Sequence, residues 1–256
     1  LPLDVLLVAS ANPEDYTNRG RIITPLKDRF GSQIRTHYPL DTDTEVQIIR
    51  QESRPPSVGD VKVVVPAYME RVVATFSQLA RSSSQVNQRS GVSVRLSVSN
   101  YEVMAANALR RGLRLGERYV VPRVCDLDAF ASASGGKIEI EALEDGREGQ
   151  VLRDLVKSAV LTVYRETVRP ELAGAILTAF EEGATVSTGE DVPSATQAAH
   201  AEQIAAFKPV LDQLLGGDTS AAAVAAGVEF VLEGLHLSKR LNKDASATSG
   251  GTYRAR

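Results

Sequence analysis

The feature that most constrains this chain is the run Val5, Leu6, Leu7 and Val8, which stops at three small residues and meets Asn12 and Pro13. Four apolar residues in succession, bounded by breakers, fit a strand buried on both faces of a parallel sheet. Ala9, Ser10 and Ala11 permit close approach of a neighbour, and Pro13 disfavours helix at Asn12. Asn12 then stands at the C-terminal end of the strand, where open α/β sheets present groups to a ligand crevice. It is the first candidate functional residue; the plainer reading is an asparagine that caps a turn. A parallel strand also needs neighbours joined by crossover connections. Because the run begins almost at Leu1, the expectation is that the chain is the C-terminal part of a longer protein.

Beyond this strand the pattern alternates between breakers and amphipathic stretches. Thr24 and Pro25 open a short helix over 25–29, and residues 34–38 alternate as a second strand. Thr42 and Glu45 form a capping box for a helix that ends at Arg54, with Val46 and Ile49 inward. Residues 59–65 read as a linker, 66–82 as a helix, 82–91 as a polar loop and 99–114 as a helix opened by Ser99 and Glu102. Gly112 and Gly116 should slacken the end of that last helix. A short extended piece at 119–122 feeds a further helix over 124–130.

Residues 132–137 (SASGGK) read as a linker and 138–141 as an edge strand or a charged link. Helices follow at 148–168 and 170–180, with residues 183–189 as a break. A long helix at 193–215, broken or kinked by Pro209, and an alanine-rich one at 220–237 complete the set. Residues 238–256, basic and rich in small residues, read as a frayed, flexible tail. The organisation expected is therefore an α/β part over 1–58, helical domains over 59–133 and 134–237, and the tail over 238–256.

Composition narrows the functional classes. With 43% hydrophobic and 24% charged residues the chain matches ordinary globular proteins, and a net charge of -3 gives no electrostatic case for nucleic acid or an anionic membrane. A single cysteine, Cys125, excludes an internal disulfide framework, and three scattered histidines argue against a metal cluster. No apolar stretch of about 20 residues is present to span a bilayer. A cytoplasmic location is the expectation.

The chemistry that an asparagine at a strand end can perform is limited. Its amide can orient a water or touch a terminal phosphate without adding negative charge. Arg19, Arg21, Lys27, Arg29 and Arg35 follow closely, and Phe30 could anchor the turn that carries Arg29. An arginine held rigidly near a subunit surface can reach a neighbour's nucleotide; alternatively, Arg29 pairs with Asp28 or Glu14.

Residues 5–31 (VLLVASANPEDYTNRGRIITPLKDRFG) resemble the second half of the nucleotide-binding core of AAA+ ATPases, in the branch of the magnesium chelatase ATPase subunit and the MoxR-type ATPases. The resemblance makes Asn12 sensor 1 and Arg29, within Leu26-Lys27-Asp28-Arg29-Phe30, the arginine finger. Residues 59–133 resemble the helical lid of that family. There the segment Gly91-Val92-Ser93-Val94-Arg95 is similar to sensor 2, with Arg95 toward the phosphates of its own subunit's nucleotide. Residues 119–127 (YVVPRVCDL) resemble the usual lid ending, with Arg123 and Val124 in place of a commoner acidic pair, a change expected to affect only surface charge.

The fold class implied is α/β plus α: the C-terminal part of an AAA+ core, a lid and a further helical region. A glycine-rich phosphate loop ending in Lys-Ser/Thr and an acidic magnesium-binding strand are not in this sequence, and Gly135-Gly136-Lys137 lacks the required spacing. The resemblance thus implies ATP and Mg2+ bound mainly by residues outside this chain, and a chain that hydrolyses nothing alone. It also implies a homo-oligomeric ring, a hexamer in the family, and a von Willebrand factor A-type partner protein. Two other readings stand beside it: a helical adaptor with a degenerate ATPase half, and an AAA+ transcriptional regulator.

Overall fold

A computed structural model describes residues 4–10, 25, 28–87, 91–140, 147–245 and 250–256. The chain divides into two units, Leu1–Tyr38 and Pro39–Arg256. In the first, the described residues contain neither of the two expected strands: residues 4–10 and 32–38 have no ladder partner. Val5, Leu6, Leu7 and Val8 are 71–91% exposed. An apolar run becomes a strand only when another backbone supplies its hydrogen bonds, and none of the described residues does so. Residues 28 and 29 form a turn following Pro25.

The second unit begins with α1 (Thr42–Glu52). Its cap is Asp41, whose carboxylate accepts the Thr44 N–H at 2.7 Å, and not Thr42. Glu45 is consequently free of capping duty and turns inward, fully buried, to pair with Arg81 of α2 (Ala67–Ser82) at 2.6 Å. Ser97 donates to the same carboxylate. Ser97 lies on α3 (Val94–Leu115), which is a full turn longer at its N-terminus than its capping pattern predicted. The cap is Ser93, and the buried set Ser97, Tyr101, Met104 and Ala108 already has helical spacing. Residues 94–98 belong to this helix although Val92, Val94, Leu96 and Val98 alternate with polar residues in the sequence.

Gly112 does not slacken α3. A β-carbon there would lie 2.3 Å from the Val120 side chain, so the glycine lets a short strand dock against the helix. Gly116 ends the helix in the left-handed region at φ 70°, a conformation that favours glycine. That short strand, β2 (Tyr119–Val120), pairs in parallel with β1 (Lys62–Val63), so residues 59–65 form sheet as well as linker. A 3₁₀ helix (Val124–Ala129) leads into α4 (Phe130–Ser134). Ile138, in the expected link after it, is buried, and Ile140 bridges to Val86.

Next come α5 (Glu148–Thr167) and α6 (Pro170–Glu181), then β3 (Val186–Gly189), in a stretch expected only to break the helix. The expected long helix is two helices, α7 (Ser194–Gln203) and α8 (Phe207–Leu215). The interruption lies at residues 204–206, and Pro209 sits in the first turn of α8, where its missing N–H costs nothing. α9 (Ala221–Leu237) is buried on almost every side and is the central helix of the unit.

The C-terminus is not a frayed tail over its described residues. β4 (Asn242–Ala245) and β5 (Gly250–Arg254) form an antiparallel sheet with β3, in the order β3-β5-β4. Tyr253 is the reason: its ring is fully buried, and its hydroxyl donates to Glu233 of α9. The unit is thus mixed α/β with predominantly helical content and two small open sheets. The main core runs through it from Val46 to Tyr253, with a small second cluster around Val121, Ala222, Ala223 and Ala226, so the helices on either side of residues 132–137 share one interior. Among the described residues no helix is long and apolar enough to cross a membrane.

Candidate functional site

Of the three residues singled out from sequence, Asn12 lies outside the described residues. Arg29 is exposed, and its guanidinium donates to the Pro25 carbonyl at 2.8 Å, four residues back. That bond folds the side chain against its own turn, and Arg29 makes no ion pair with Asp28. Arg95 belongs to the second unit and occupies the first turn of α3, next to the Ser93 cap. Its side chain is exposed, and no described residue hydrogen-bonds or pairs with its guanidinium. Neighbouring arginines behave otherwise: Arg50 pairs with Glu70, Arg71 with Asp43, and Arg81 with Glu45.

The placement of Arg95 is electrostatically unfavourable when nothing is bound. The N-terminus of a helix carries partial positive charge from unpaired N–H groups, and the first turn of α3 contains no acidic residue. A cation in that turn adds to the same field. An anion set in front of it would meet both, which is the arrangement that helix N-termini offer to phosphate.

Toward the other end of α3 the structure holds a buried charged cluster that sequence reasoning missed. Arg123, expected on the surface, is completely buried. Its guanidinium donates to the Val192 carbonyl at 2.8 Å and to Ser194 Oγ at 2.5 Å, joining the chain before the 3₁₀ helix to the start of α7. Arg111, also buried, pairs with Asp126 at 3.0 Å and donates to the Val121 carbonyl. Asp126 in turn accepts the Arg123 N–H at 2.8 Å. Glu117 accepts the Ser194 N–H at 2.6 Å, and Glu229 of α9 accepts the Cys125 N–H at 2.7 Å. Burial raises the Glu229 carboxyl above its usual range, against the opposing pull of Arg123. A signal for this cluster was present: Glu229 and Glu233, four residues apart, are the only charged residues in the apolar sequence of α9.

Glu233 shows the opposite balance. Burial alone would raise its carboxyl, but the Lys243 ammonium at 2.7 Å and the donated bonds from Lys243 and Tyr253 outweigh it and hold the group below the usual carboxylate range. A carboxyl depressed in the folded state contributes stability above its unfolded value of about 4.3, and loses it as pH falls through the folded value. The native chain should therefore lose stability on acidification below about pH 4.3. Glu233→Gln should flatten that dependence; urea unfolding at a series of pH values measures it. An equally steep acid limb in the variant would remove Glu233 from the account.

No protein family, curated protein or solved structure matches this chain.

Proposed function

We propose that the chain is the C-terminal part of an AAA+ ATPase of the chelatase and MoxR-like branch, with residues 59–133 as its lid. The observation that carries this reading is the Arg95 guanidinium, without a partner among the described residues, in the first turn of the 22-residue α3. It supports the reading because the resemblance of residues 91–95 assigns a phosphate contact to that arginine, and because its surroundings favour an anion. The side chain needs no rearrangement of ion pairs to take one.

In this reading the reaction is attack of water on the terminal phosphate of ATP. The nucleotide supplies the transferable phosphoryl group and its magnesium ion the counter-charge, both held mainly by residues outside this chain. Asn12 orients the attacking water with its amide. Arg95 neutralises charge on the phosphates of its own subunit, and Arg29 reaches the nucleotide of the adjacent protomer in a ring. The turn that holds Arg29 to Pro25 is local, so that contact exchanges one carbonyl acceptor for phosphate oxygens. The client, with a von Willebrand factor A-type protein as one expectation, engages the assembled ring.

The test is Arg95→Ala in the full-length protein. Steady-state ATP turnover should fall on the order of a hundredfold, with Arg95→Lys intermediate because it restores charge without the planar fork. The thermal unfolding midpoint should not move, since the Arg95 side chain is exposed and supports none of the described residues. Turnover within a factor of about two of the parent would overturn the assignment.

A further inference from the structure

Between the 3₁₀ helix, α5, α9 and the β4–β5 hairpin lies a cavity of about 150 Å³. One buried water occupies roughly 30 Å³ of liquid, so this space exceeds what a single water needs. Its inner wall carries Glu229 and Glu233. Glu233 is engaged by Lys243 and Tyr253. Glu229 is 2% exposed, and its Oε1 takes the Cys125 N–H, but its Oε2 has no partner among the described residues. A buried carboxyl oxygen in that state is costly and accepts any donor that reaches it. Leu127, Leu152 and Val160 make the middle of the cavity apolar.

The rim has the opposite charge. Lys157 and Arg153, one helical turn apart on α5, both border the opening. Lys157 makes no ion pair among the described residues, and Arg153 donates only to the neutral Gln150 side chain. Asp128 also borders the rim and is already engaged by another group. The cavity therefore has one unanswered carboxyl oxygen at its base beside the Glu233–Lys243 pair, an apolar middle, and two cations with the engaged Asp128 at its mouth.

From this polarity we infer that the cavity binds a small zwitterion, a flexible amino acid whose ammonium donates to Glu229 and whose carboxylate lies between Lys157 and Arg153. A basic peptide side chain would meet two cations at the mouth. A simple carboxylic acid would leave the Glu229 oxygen unanswered. Only a molecule bearing both groups, separated by methylenes that cover the apolar wall, satisfies each end.

The experiment uses the full chain with γ-aminobutyrate and ε-aminocaproate as probes, and butyrate and butylamine as single-charge comparisons. Titration calorimetry and amide chemical shifts should report saturable binding of at least one amino acid, with shifts at Cys125, Val156 and Lys157. Both single-charge compounds should bind at least about tenfold more weakly. Lys157→Glu, an exposed change, should weaken binding by about tenfold, and Val156→Phe should abolish it by filling the space. Glu229→Gln should weaken it as well, and the two other variants keep the test decisive if that one fails to fold. Absence of saturable binding by either amino acid, or binding untouched by Val156→Phe, would overturn the proposal.

Discussion

Replacing Arg123 with alanine should cost the chain about 3–5 kcal/mol, the range for removing one partner of a buried charged network. The guanidinium has no exposure to solvent, and it ties the Gly189 and Val192 carbonyls and the Ser194 hydroxyl to the segment that precedes the 3₁₀ helix. Truncation takes this donor from the Val192 carbonyl and the Ser194 hydroxyl, whereas the Gly189 carbonyl keeps the Val192 N–H, and it removes the counter-charge that Glu117 and Glu229 share. Each buried acceptor left without a donor costs about 1–3 kcal/mol, so the loss cannot be only that of a cavity. Arg123→Met separates the two contributions, because it keeps much of the volume and none of the hydrogen bonds. Urea unfolding should place it close to alanine. If methionine instead restores most of the stability, packing rather than hydrogen bonding sets the role of this residue.

On the proposed ATPase reading, Arg29→Ala in the full-length protein should leave ATP binding intact and lower turnover by roughly 10³–10⁵-fold, the range for arginines that act across a subunit boundary. The size of the effect follows from what a trans arginine does. It meets charge that develops on the phosphoryl group in the transition state and is absent from the ground state, so its loss appears in turnover more than in affinity. Because Arg29 is exposed and bonded only to the Pro25 carbonyl among the described residues, its removal should not disturb the fold. Mixing supplies the decisive comparison. A protomer that cannot bind nucleotide but keeps Arg29 should restore part of the activity of the Arg29→Ala protein in mixed rings. Failure of that rescue would sink the trans assignment while leaving the role of Arg95 to its own test.

These two arginines also measure how far sequence reasoning reaches. Arg29 and Arg95 were singled out because the resemblance of residues 26–30 and 91–95 assigns them roles. The structure then moved the start of α3 from Ser99 to Ser93, which turned Arg95 from a residue in an extended segment into one in the first turn of a long helix. Both serines suit a cap, and the choice was made by burial of Leu96 and Ser97 against α1 and α2, which no local pattern contains. Arg123 was misread for a related reason. Its neighbours in sequence say surface turn, while its partners, at residues 189–194, come from about 70 positions away. Arg50 and Glu45 likewise acquired their partners only when α2 packed against α1.

By itself the sequence determined the helical stretches over 66–82, 148–168, 170–180 and 220–237, because amphipathic spacing and caps are properties of a few consecutive residues. It also determined that Val5–Val8 is apolar, but not that the run is a strand, since hydrogen bonds to another backbone are what make it one. Tertiary structure alone decided the parallel pairing of β1 with β2, the sheet that gathers β3 and the C-terminal hairpin, and the burial of Tyr253 on Glu233. It alone decided that Glu229 and Glu233 face a cavity with cations at its mouth. The physical division is one of range: torsional preference and periodicity act along the chain, whereas desolvation, ion pairing and sheet register act between segments that only the folded chain brings together.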